Sequence, residues 1–79
     1  MKLKTAYSRT VTRRAMTMRY ELLAGEDGYG IRVEGNGEDA VMSALSIDGE
    51  AVFSLLEAIM RGFVTPVTAR DIAEDWLLR

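Results

Sequence analysis

The stretch MTMRYELLAGEDGYGIRVEGNG, residues 16–37, decides the fold. Met16, Met18, Tyr20 and Leu22 alternate with Thr17, Arg19 and Glu21. A period of two belongs to a half-buried β-strand, whose successive side chains point to opposite faces. Gly25-Glu26-Asp27-Gly28 then reads as a turn, because Asp-Gly supplies the positive φ that a tight hairpin needs. The chain returns as a strand from Tyr29 to Glu34, with Tyr29, Ile31 and Val33 on one face and Arg32 and Glu34 on the other. Gly35-Asn36-Gly37 makes a second turn. Two such hairpins in succession form an antiparallel meander.

Working outward, the next strand runs from about Ala40 to Ile47 and sets Val41, Leu45 and Ile47 on one face, with Ser43 interrupting. Upstream, Leu3, Tyr7 and Val11 can line one face of a fourth strand, with Thr5 and Arg9 between them and a turn at Arg13-Arg14. That turn has no Gly, Asn or Pro. Residues 1–14 therefore read either as a first strand or as a loose basic arm, ahead of a single domain over residues 15–79.

After Ile47 the period changes. Val52, Phe53, Leu55, Leu56, Ile59 and Met60 gather on one side at about 100° per residue, predicting a helix over Gly49–Arg61. Asp48 fits its N-cap, Ile47 and Val52 a hydrophobic staple, and Gly62 a left-handed stop. Glu57 and Arg61 stand four residues apart on the outer side. A second helix follows, capped by Thr68 with Val67 against Ile72, or one turn earlier by Thr65 with Pro66 in the first position. Ile72, Ala73, Trp76 and Leu77 share its apolar face, while Leu78 falls among Asp71, Glu74 and Asp75. The expected fold is α+β: a small antiparallel β-meander of three or four strands, followed by two helices packed on one face.

Composition narrows the chemistry. The 79 residues include no cysteine and no histidine, which removes the commonest transition-metal ligands and the commonest general base. No cofactor, metal or catalytic residue is expected, and the chain reads as a non-enzyme. The glycines at 25, 28 and 30 stand between strands, so they read as hairpin turns; a phosphate-binding loop needs a helix after it. No apolar run approaches the roughly 18 residues of a membrane span, and no signal peptide is apparent.

Charge is distributed unevenly. Lys2, Lys4, Arg9, Arg13, Arg14 and Arg19 all precede the first acid, and all twelve acids follow. This basic patch either folds back on the acidic body or meets an anionic partner such as nucleic acid. A DNA-binding helix-turn-helix is disfavoured, since the second helix would turn Asp71, Glu74 and Asp75 toward phosphates.

Tyr20-Glu21-Leu22-Leu23, Tyr29-Gly30-Ile31-Arg32-Val33, a helix ending at Gly62, Thr65-Pro66 and Asp71-Ile72-Ala73-Glu74-Asp75-Trp76-Leu77 together carry a resemblance. The chain resembles, over roughly residues 18–78, a family of short uncharacterised proteins from Gram-positive anaerobic bacteria, classed as a domain of unknown function. The resemblance implies a cytoplasmic bacterial protein and assigns no activity or site.

The function expected from the residues is a small interaction or regulatory module, an adaptor or inhibitor of a protein partner that can also self-associate. Met16, Met18, Tyr20, Leu23 and Leu78 are the candidate contacts, because tyrosine and methionine are enriched at interface cores and the helices can cover only one sheet face. A nucleic-acid accessory protein acting through the basic segment is the alternative.

Overall fold

The computed structural model describes residues 3–78. Four strands, β1 (Lys4–Arg13), β2 (Met16–Gly25), β3 (Gly28–Gly35) and β4 (Glu38–Ser46), form one antiparallel sheet in the order β1-β2-β3-β4. Two helices follow, α1 (Gly49–Arg61) and α2 (Pro66–Leu77). The α+β meander with helices on one face is the expected one, and residues 4–13 are its fourth strand.

Both faces are set by register. Tyr20 stands opposite Val33, and Leu22 opposite Ile31, so Met18, Tyr20, Leu22, Ile31 and Val33 share the face under the helices. α1 lies across β2 and β3, sealing Val52, Leu56 and Ile59 against them, while α2 lies over β4 and β3. The other face is open.

β1 meets the turn problem differently from the other hairpins. Arg13 pairs with Met16, leaving Arg14 and Ala15 as a two-residue loop at φ 51° and 68°. Asn36-Gly37 does the same with the residues that favour it, at φ 53° and 75°. A register shift between Thr5 and Tyr7 places Lys4, Tyr7, Arg9, Val11 and Arg13 toward the helices, and Thr5, Ser8, Thr10 and Thr12 toward the open side.

β4 departs from simple alternation. Ile31 pairs with Met42 but Tyr29 pairs with Ser46, so Ser43, Ala44 and Leu45 together face Gly30. Ala44 takes φ 55° within this bulge. The bulge shifts the phase, so Ala40, Met42 and Leu45 enter the core while Val41 sits on the open face and Ile47 is exposed. Grouping Val41, Leu45 and Ile47 on one face is thereby corrected, and Ile47 forms no staple with buried Val52.

The helix ends follow the chain's own polar groups. Asp48 caps α1, its carboxylate accepting from the N–H of Glu50 at 3.1 Å and of Ala51 at 3.3 Å. At the other end Phe63 N–H donates to Met60 O at 3.0 Å and Val64 N–H to Ile59 O at 3.2 Å, the paired bonds of a Schellman motif. Its left-handed residue is Phe63 at φ 49°, and Gly62 stays right-handed at φ −82°, which corrects the expected stop. α2 starts at the earlier of the two expected positions, with Thr65 as N-cap and Pro66 in the first turn.

Gly30 makes the bulge possible. A Cβ there would overlap the Met42 carbonyl oxygen and stand 2.8 Å from Ser43 Cα, and neither backbone atom can move aside by a rotamer change. Gly30→Ala is therefore expected to destabilise the fold by about 2 kcal/mol or more, read from the denaturant midpoint. An unchanged midpoint would mean that β4 does not close over Gly30.

Candidate functional site

The candidate contacts separate once the faces are known. Met18 and Tyr20 are wholly buried under the helices, so neither is available to a partner; period-two alternation had placed them together without saying which face the helices take. Leu23 is on the open face but is also buried, and Met16 is only marginally exposed at the end of β2. Leu78, by contrast, is 85% exposed.

The open face is a charged plate. Arg32 grips Asp39 through two hydrogen bonds, Nε to Oδ1 at 3.0 Å and Nη2 to Oδ2 at 2.9 Å. Arg19 pairs with Glu34 across β2 and β3. Glu21 lies between both arginines, 3.9 Å from Arg19 Nε and 3.7 Å from Arg32 Nη1. These cross-strand pairs follow directly from a register that sets Glu21 opposite Arg32 and Arg19 opposite Glu34. Glu21 Oε1 is buried without a hydrogen-bond partner, and otherwise the charges of this face are engaged with one another.

The basic segment is split in the same way. Lys4, Arg9 and Arg13 lie on the helix side of β1, Arg14 occupies the strained turn, and Arg19 is committed to the open-face network. Lys2 falls outside the described residues.

The apolar surface missing from the sheet is found on the helices. α2 buries only Pro66, Ala69 and Ala73. Its larger apolar residues face outward: Val67 is 56%, Ile72 36% and Leu77 52% exposed, and Trp76 is half-buried. Between the helices runs a groove of about 560 Å³, lined by Ala51, Ser54, Leu55 and Ala58 of α1 and by Asp71, Ile72, Asp75 and Trp76 of α2. Leu78 continues the stripe of Asp71 and Asp75 at helical spacing. The sequence shows Ile72 and Trp76 as an apolar pair, and the usual assignment of such a pair is core. What the pattern omits is that Ala69 and Ala73 already fill the space against the sheet.

No cluster of three or more histidine, cysteine, aspartate or glutamate side chains able to hold a metal occurs among the described residues. No helix among them is long and apolar enough to cross a membrane. Burial raises the pKa of the Tyr20 phenol, opposed by the nearby Arg13 charge.

The sequence profile of a family of unknown function, DUF6514, matches residues 1–79. The chain belongs to this family. No curated protein and no solved structure matches the chain. The DUF6514 relationship agrees with the resemblance read from the residues in that both point to a family of unknown function, and it assigns no activity.

The open-face network yields a titration test. The hydrogen bonds and charge of Arg32 hold the Asp39 carboxyl below its usual value. Because the folded value is the lower one, the pair contributes at every pH above the unfolded value of about 3.9 and fades as pH falls through the folded one. The Asp39 carboxyl resonance is expected to titrate below that of an ordinary aspartate and to return toward it in Arg32→Gln. An Asp39 midpoint indifferent to this substitution would mean that the pair is not formed.

Proposed function

We propose that this chain is a non-catalytic protein-interaction module of the cytoplasm, whose contact surface is the groove between α1 and α2. The observation that carries the reading is that α2 buries only Pro66, Ala69 and Ala73, which leaves Ile72 and the outer part of Trp76, packed at the edge of the core, along the groove. The apolar residues that meet in the groove are Leu55, Ile72 and Trp76, with Ala51 and Ala58 between them, and apolar surface kept in water is characteristic of interaction sites. The groove suits an amphipathic segment laid between two helices, with apolar side chains against Leu55, Ile72 and Trp76. Asp71 and Asp75 on its wall favour lysine or arginine at the flanks of that segment.

Charge also favours a different protein over a second copy. A two-fold interface sets the same patch against itself, bringing Asp71, Glu74 and Asp75 near their own counterparts. The nucleic-acid reading stands second, because the described cations divide between two sheet faces and the helical layer is acidic.

Trp76 is the one tryptophan of the chain and lines the groove, so its emission reports filling. A helical peptide carrying leucines on one face and lysines beside them is the probe. The expected result is a saturable blue shift that persists at raised salt and weakens roughly tenfold in Ile72→Asp, with Val41→Asp on the open face unaffected. Circular dichroism checks that both variants stay folded. Emission that does not respond, or a response lost with salt and equal in both variants, would overturn the groove reading.

A further inference from the structure

On the opposite flank of α1 from the groove, three arginines converge with no close ion pair among the described residues, the nearest acid in sequence being Glu57, one turn before Arg61. Arg9 and Arg13 project from β1, Arg61 from the last turn of α1, and with Val11 and Met60 they line a pocket of about 170 Å³. Among the described residues no carboxylate lies within ion-pair distance of any of the three. Arg19 and Arg32, on the other side of the sheet, are both paired. The contrast has weight because the chain has more acids than bases, twelve against ten. Like charges brought together repel, and a chain with spare acids has left this repulsion in place.

The backbone around the pocket is held in costly conformations. Three of the non-glycine residues at positive φ stand next to these arginines in the chain: Arg14 and Ala15 in the hairpin loop directly after Arg13, and Phe63 at the helix end two residues after Arg61. Each such residue costs about 1–2 kcal/mol that glycine would spare. The Phe63 ring lies 5.3 Å from the Arg13 guanidinium, a cation–π contact that favours this placement of the side chain.

We propose that Arg9, Arg13 and Arg61 form a binding site for a single phosphate group of the monoester type. Guanidinium forks match phosphate oxygens, and three of them in a small pocket suit a dianion better than a carboxylate. A compact ligand fits better than a nucleic-acid strand. The three cations point to one pocket, while the neighbouring helical surface carries Glu50, Glu57, Asp71, Glu74 and Asp75, which would repel a long polyanion. The site is independent of the groove and stands whether or not the groove binds a peptide.

The test follows arginine Nε–H resonances of the whole protein during titration with inorganic phosphate. Saturable shifts are expected at Arg9, Arg13 and Arg61 and not at Arg32 or Arg70. Binding should strengthen as pH rises through the second phosphate ionisation, about 6 for a monoester and somewhat higher for inorganic phosphate. Arg61→Gln should weaken it roughly tenfold or more, while Arg70→Gln, which removes the same charge elsewhere, should leave it unchanged. A phosphoserine peptide and a nucleoside monophosphate, compared in parallel, tell whether protein or small molecule carries the group; tighter binding of either than of inorganic phosphate supports the site. Shifts spread evenly over all arginines would overturn the proposal. So would tighter binding of a single-stranded oligonucleotide without terminal phosphate, weakened alike by Arg14→Gln, Arg61→Gln and Arg70→Gln, since that is diffuse polyanion attraction.

Discussion

The hydroxyl of Tyr20, at the middle of the helix-covered sheet face, donates to the carbonyl oxygen of Val64 at 3.0 Å. It ties the sheet to the turn between the two helices, 44 residues further along the chain. A buried phenol without a partner would cost about 1–3 kcal/mol, so the bond is obligatory once the ring is covered. It anchors the turn in which the Schellman bonds end α1 and from which Thr65-Pro66 start α2. With the turn anchored, α2 is directed over β4, and the alanines at 69 and 73 let it settle there. The helices then share a sheet face without filling the space between them.

Much of this arrangement can be read in the residues, and the failures have identifiable causes. Alternation across Met16–Leu22 and Tyr29–Glu34 gives the hairpin, and Asp48 at the foot of a helical stripe gives the start of α1. Alternation groups residues by face but does not say which face is covered, so Met18 and Tyr20 looked as available as Leu78. The bulge in β4 depends on a glycine in the neighbouring strand, a pairing that no local window contains. Gly62 drew the left-handed assignment because glycine adopts that conformation freely; packing around Phe63 gave it to the next residue instead. Trp76 is half-buried for a similar reason, since the small residues of α2 take its buried positions and the indole packs at the edge of the core.

Chemistry is divided accordingly. On the open face, cross-strand register sets two arginines among three carboxylates in one linked network, with one acid in excess. On the helix side, β1 meets α1 through Tyr7 against Phe53, at 5.0 Å between ring centroids, and its Arg9 and Arg13 line a pocket with Met60 and Arg61 of α1. An acidic, apolar groove and a basic pocket thus flank the same helix. Both are boundaries of α1, and both depend on the turn after it being held.

The most direct measurement is amide hydrogen exchange in Tyr20→Phe compared with the parent. If the hydroxyl pins the turn, exchange should accelerate most at Phe63 and Val64, whose N–H groups close α1, and at Ala69, bonded to Thr65 in the first turn of α2. The amides of β2 and β3 should change only as far as global stability does. Uniform acceleration across sheet and helices, or unchanged protection at Phe63 and Val64, would contradict this, because the turn would then be held by packing alone.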